Sequence, residues 1–189
     1  NEIAAGRGAV AEALKGAKHP VIILGVGATA RDDGEEIYNT SKLIAEKLQV
    51  VREDWDGFSV LHNAAGRVGA MDVGFLPQKG GKDVAGILEA AKSGAISLVY
   101  LLGADEIDTN ALGNAFVVYQ GHHGDAGAHR ADVILPGAAY TEKDATYVNT
   151  EGRAQRANRA VFPPGQAKED WAIVRALSES LGKKLPFDS

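Results

Sequence analysis

ADVILPGAAYTEKDATYVNTEGRAQ, residues Ala131 to Gln155, is the stretch whose reading decides the fold. Val133, Ile134 and Leu135 form a short apolar run that Pro136 and Gly137 stop, the pattern of a strand entering a loop at the edge of a sheet. Beyond it lie Glu142, Lys143, Asp144, Asn149, Glu151 and Arg153, a dense set of charged and hydrogen-bonding groups on a surface connection. Such a mixture serves either to bind a ligand or to brace a loop.

Working outward, the same kind of run recurs at Val21–Leu24, Ile96–Leu102 and Phe116–Tyr119, none with the polar alternation of a half-exposed strand. Helical spacing fills the gaps. Val10, Ala13, Leu14 and Ala17 mark a first helix. Ile37, Ile44 and Leu48 form an inward stripe over Asp32–Leu48, and Asp83 caps a helix to about Lys92 that Gly94 ends. Lys168–Leu181 is a last helix with Trp171, Val174, Leu177 and Leu181 on one face. Gln49–Val51 reads as a short strand, Glu53–Gly81 as a long ordered loop folding over the sheet, and Asn110–Asn114 as a brief polar connection. Strands alternating with helices predict an α/β fold, a mostly parallel sheet with helices on both faces, in a single domain over 1–189.

In open parallel sheets ligands sit outside the carboxyl ends of the strands, and each of the four apolar runs leads into glycine. Gly25, Gly27 and Ala30 fit the G-x-G-x-x-[GA] dinucleotide fingerprint, but the acidic residue expected at the end of the next strand is displaced to Glu53 or Asp54. Glycine serves a tight strand-to-helix turn equally well. His122, His123, Asp125 and His129 raise a metal reading. Neighbouring side chains on extended backbone diverge, however, and the spacing is not that of a helical metal motif, so a hydrogen-bonded loop is expected and no metal. Glu142, Asp144 and Glu151 could pair as acid and base, but salt bridges to Lys143, Arg153 or Arg156 account for them as well. No nucleophile elbow is present.

Composition narrows the classes. A hydrophobic content of 45% in 189 residues supports a substantial core. The net charge of -5, without a basic stripe, argues against nucleic acid as a partner. No apolar run approaches the roughly 20 residues of a membrane-spanning helix, so no direct membrane contact is expected. The absence of cysteine excludes disulfides, thiolate nucleophiles and cysteine-ligated iron–sulfur clusters within these residues. The chain opens on Asn1 and its one methionine is Met71, which is the expectation for a piece of something longer.

The run VVYQGHHGDAGAHRADVILPGAAYTEKDATYVNTEGRAQ closely resembles the C-terminal part of the large iron–sulfur subunits of respiratory complex I, NADH-quinone oxidoreductase. Leu61–Phe75, LHNAAGRVGAMDVGF, and Pro163–Glu179, PPGQAKEDWAIVRALSE, are similar to the same subunits in the same order. The resemblance implies a molybdopterin-oxidoreductase-like fold of the formate dehydrogenase/DMSO reductase type. It also implies a non-catalytic structural role in an electron-transferring complex, with iron–sulfur clusters bound upstream and no cofactor in these residues. Neighbours would be other peripheral-arm subunits, and the location the cytoplasmic face of a bacterial inner membrane or the mitochondrial matrix side, held there by the complex. Two departures from cofactor-holding relatives suggest a vestigial pocket, with Gly25, Gly27, Asp105, Glu142 and Asn149 as its candidate residues. Asp105 stands where those relatives tend to have Asn, and His122–Arg130 replaces a T-E-T-A-like run. A carboxylate at 105 adds negative charge and removes an amide donor, which suits phosphates badly. The alternative is a working molybdopterin- or dinucleotide-binding oxidoreductase domain.

Overall fold

The apolar runs form strands and the chain alternates them with helices. The computed structural model describes residues 2–188, which fall into two compact units: residues 2–74 with 147–155, and residues 75–146 with 156–188. Each has its own parallel strands, as the α/β reading requires.

In the first unit, helix α1 (Ala9–Lys15) precedes strand β1 (Ile22–Leu24), the short helix α2 (Val26–Thr29) and helix α3 (Gly34–Lys47). Ala45 is the buried contact of α3, beside the half-buried Ile37, Ile44 and Leu48. The predicted strand near residue 50 is β2 (Val51–Arg52). It pairs antiparallel with β3 (Trp55–Asp56), while Val50 just before it is fully buried. Strand β4 (Phe58–Val60) then pairs parallel with β1, with Ile23 opposite Ser59, and helix α4 (Arg67–Asp72) follows. The stretch expected as one long loop, residues 53–81, thus carries two strands and a helix. Elements of two to six residues are too short to show a period. One glycine makes the return possible, because a Cβ on Gly57 would lie 2.2 Å from the Pro20 carbonyl oxygen.

The second unit holds the principal core. Helix α5 (Val84–Lys92) is capped by Asp83, whose carboxylate accepts from the Gly86 amide at 2.8 Å, and Gly94 follows it at φ 77°. Strands β5 (Leu98–Leu102), β6 (Phe116–Gly121) and β7 (Val133–Pro136) form a parallel sheet in that order, with Val99 opposite Val117 and Tyr119 opposite Ile134. Ala91, Val99, Leu101, Leu112, Ala115, Val117 and Tyr119 make one buried cluster. Leu112 comes from a 3-10 turn (Thr109–Leu112) in the stretch expected to be a polar connection. So short a turn carries no helical period, yet Leu112 is among the most buried residues in the unit. Helix α6 (Ala126–Arg130) joins β6 to β7, and helix α7 (Asp170–Ser180) closes the chain.

Helix α7 corrects one expectation. Trp171 and Leu181 of the predicted inward face are exposed, and Arg175 is the residue buried at 7% exposure. Its guanidinium donates to the Phe187 carbonyl at 2.9 Å, to Glu179 at 3.0 Å and to Asp188 at 2.8 Å, so residues 187–188 fold back over the helix. An apolar period cannot reveal a buried cation whose partners lie beyond the helix. No helix among the described residues is long and apolar enough to cross a membrane.

Strands β8 (Ala145–Val148) and β9 (Ala154–Ala157) form a two-stranded sheet around the turn 149–153, which belongs to the first unit.

Candidate functional site

The carboxyl ends of β6 and β7 open onto a cavity of about 590 Å³, lined by Gly121, His122, His123, Gly137, Glu142 and Gln166 among others. It lies where a parallel sheet places its ligand sites. Gly121 in its lining, and Gly127 close by in sequence, make room for the Tyr119 ring. A Cβ on Gly121 would stand 2.3 Å from the Tyr119 hydroxyl, and one on Gly127 would stand 2.7 Å from the same ring and 2.9 Å from the Asp105 Cβ. The Tyr119 ring fills the space that glycine leaves, so these residues are glycine for packing, whatever the cavity holds.

The candidate residues are distributed between the two units. Glu142 lines the cavity, and its carboxylate accepts from the Ala139 amide at 2.9 Å. Asp105 stands behind Tyr119. Burial first, and then the charges of Asp105 and Asp125, push the Tyr119 phenol above the ordinary tyrosine range. Two carboxylates facing one phenol make the ground behind the cavity negative, the opposite of a phosphate cradle.

Gly25, Gly27 and Asn149 belong to the first unit. Gly25 precedes α2 at φ -79°, Gly27 lies within α2, and a Cβ on either would meet nothing within 4 Å. No protein contact therefore requires glycine in this fingerprint. The glycine that is required is Gly34, where a Cβ would fall 2.1 Å from the Thr29 carbonyl oxygen. Asn149 braces the hairpin. Its side-chain oxygen accepts from the amides of Glu151 at 3.0 Å and Arg153 at 2.9 Å, and Gly152 sits at φ 79° in the same turn. Thr150 ties that turn to the Val60 carbonyl at 2.7 Å.

The acidic residues of this stretch find partners other than those expected. Asp144 accepts from the Arg159 amide at 2.8 Å, and Glu151 lies 3.5 Å from the Asn149 amide group. Lys143 pairs with Asp170. They hold backbone more than they pair with arginine. The rings of His122 and His123 do not diverge but meet edge to face, with centroids 4.3 Å apart. Among the described residues no three His, Cys, Asp or Glu side chains are grouped to hold a metal ion.

Several polar residues with structural roles are missed by the sequence reading. Asp132, within the strand motif itself, accepts from the Val117 amide at 2.8 Å and so completes the start of the central strand. Arg130 beside it donates to the carbonyls of Gly113 and Ala115, each at 2.9 Å. Gln120, fully buried at the end of β6, accepts from the Tyr100 hydroxyl and donates to Asp170 at 2.9 Å. Of these, Gln120 alone leaves a trace, as a polar residue at the end of an apolar run.

Among known proteins, the chain is 47% identical over 188 residues to an NADH-ubiquinone oxidoreductase 75 kDa subunit of Reclinomonas americana, covering 100% of the chain and 27% of that protein. To the mitochondrial NADH dehydrogenase (ubiquinone) iron-sulfur protein 1 of Solanum tuberosum it is 49% identical over 189 residues, 100% of the chain and 24% of the relative. It is likewise 49% identical over 184 residues to the mitochondrial NADH-ubiquinone oxidoreductase 78 kDa subunit of Candida albicans, covering 96% of the chain and 24% of the relative. The chain therefore spans about a quarter of the length of the curated relatives it matches. A solved structure, acetylene hydratase from Pelobacter acetylenicus, aligns over 53% of the chain and 16% of its own at a TM-score of 0.48 and 21% identity. The family model for molybdopterin oxidoreductase matches residues 1–180, and on that match the chain belongs to the molybdopterin oxidoreductase family.

Proposed function

We propose that this chain is a structural domain of the large iron–sulfur subunit of an NADH:quinone oxidoreductase, the complex that passes electrons from NADH to quinone. The observation that carries the proposal is identity of 47% to 49% across 96% or more of the chain to subunits of NADH-ubiquinone oxidoreductases. The chain contributes scaffold and contact surface for other peripheral-arm subunits, without a redox centre of its own. Iron–sulfur clusters belong to the cysteine-bearing part upstream in the longer protein. The complex holds the domain at the cytoplasmic face of a bacterial inner membrane or on the matrix side of the mitochondrial one.

On this reading the pocket features at Gly25, Gly27, Asp105, Glu142 and Asn149 are inherited and hold no pterin. The carboxylates of Asp105 and Asp125 around Tyr119, and the engagement of Glu142 and Asn149 with backbone amides, support it. Deleting residues 1–189 from the full subunit is expected to abolish assembly of the complex and NADH-to-quinone activity together. Normal assembly and activity after the deletion would overturn the scaffold role, and molybdenum or pterin recovered from the intact subunit would restore the cofactor-binding alternative.

A further inference from the structure

One wall of the cavity at the ends of β6 and β7 is a strap, and we propose that Asp170 is the latch that fixes it. Pro164, Gln166 and Ala167 form that wall, opposite Gly121, Pro136 and Gly137 on the sheet. The strap begins with Pro163 and Pro164, turns at Gly165 with φ 55°, and ends where α7 begins. Two backbone bonds seat its far end. The Lys168 amide donates to the Pro136 carbonyl at 3.1 Å, and the Ala138 amide donates to the Lys168 carbonyl at 2.8 Å, a parallel bridge continuing the sheet beyond β7.

These two bonds depend on Asp170, two residues on. One carboxylate oxygen accepts from the Gln120 side chain at 2.9 Å and the other pairs with Lys143. Gln120 is fully buried, and its carbonyl is already committed to the Tyr100 hydroxyl, so its amide has Asp170 as its partner on the α7 side. Losing that carboxylate would leave the buried donor only its longer contact, 3.3 Å to the Asp170 main-chain carbonyl, which makes the contact costly to break. Gly137 permits the approach, since a Cβ there would stand 3.1 Å from the same carboxylate oxygen. Burial, and next the Asp170 charge, holds the Tyr100 phenol above the ordinary tyrosine range, as expected when the carboxylate is seated. β6, through Gln120, and the loop carrying Lys143 therefore meet on one side chain of α7, with Tyr100 of β5 joined to it through Gln120.

The strap is thereby a local opening unit controlled from outside the cavity, and the volume at the strand ends depends on one carboxylate. The latch stands whether or not the chain serves an NADH:quinone oxidoreductase. It is tested by residue-level amide hydrogen exchange on the whole chain. In Asp170→Ala the amides of Lys168 and Ala138 are expected to exchange about tenfold faster or more, while those of Val99 and Leu101 in β5 stay within about twofold. Lys143→Met removes the cation and leaves the Gln120 contact, so the same two amides should speed up by a smaller factor, about threefold. This variant also carries the test if Asp170→Ala does not fold. Unchanged exchange at Lys168 and Ala138 would overturn the proposal. So would an equal rise in β5, which would mean that Asp170 stabilises the unit generally and latches nothing.

Discussion

Tyr119 shows how much a single residue sets around the cavity. Its ring is buried against Gly121 and Gly127, and its phenol faces Asp105 and Asp125. Burial and those charges disfavour the phenolate, so the folded-state value lies above that of the unfolded chain, about 10. The sign follows by linkage. The contribution to stability is whole below that value and is lost as pH rises through the higher folded one. Stability measured from neutral pH upward should fall faster above about pH 10 than in a Tyr119→Phe variant, and the ultraviolet phenolate titration of the variant should lack one late component. Indistinguishable alkaline profiles would remove Tyr119 from this role. Asp105 is legible in the sequence as a carboxylate in an unusual place, because its charge class is visible in the letter. Its partnership with Tyr119 is not, since nothing in residue 105 announces a ring donated by the next strand. The roles of Asp132 and Asp170 are hidden likewise, as each serves a residue 15 or 50 positions away.

At the scale of elements, the β8–β9 hairpin is the clearest case of polar letters that look catalytic and act mechanically. The Asn149 side-chain oxygen stands in for the carbonyl acceptors that the tight turn withdraws from the amides of Glu151 and Arg153. Asn149→Ala should destabilise the first unit by roughly 1–2 kcal/mol in chemical denaturation, whereas Asn149→Asp, which keeps the accepting oxygen, should lose less than half of that. Equal losses would mean that the hairpin does not depend on this acceptor. Elements with a long period or a cap are readable from the letters alone: α3 by its stripe, α5 by Asp83, and β5, β6 and β7 by unbroken apolar runs. Others are not, and among these β3, β4, α4 and the 3-10 turn at Leu112 are set by tertiary closure. Gly57 against Pro20 and Leu112 against the β5–β6 core are contacts that no window of neighbouring residues contains.

The molecule as a whole is unevenly built. In the second unit a central strand, β6, is paired on both sides and carries Val117 and Tyr119 into a cluster completed by Leu112 and Leu101. The parallel pair of the first unit has two strands of three residues each, with Leu24 buried but Ile23 63% exposed and Val21 half-exposed. Two-stranded sheets are marginal without further support, and the buried support here is small: Ala11, Ala45 and Val50. Opening free energies should therefore differ between the units even within one intact chain. In native-state hydrogen exchange, the Ile22 amide bonded to Gly57 and the Leu61 amide bonded to Leu24 should exchange at least about tenfold faster than the Phe116 amide bonded to Ser97 or the Gly103 amide bonded to Gln120. Added denaturant should then bring the slow amides up to a common global limit while the fast ones change little, because a small opening exposes little surface. Matching rates at all four positions in water would show that the two units open as one, and that the size of the buried cluster does not set where this fold gives way first.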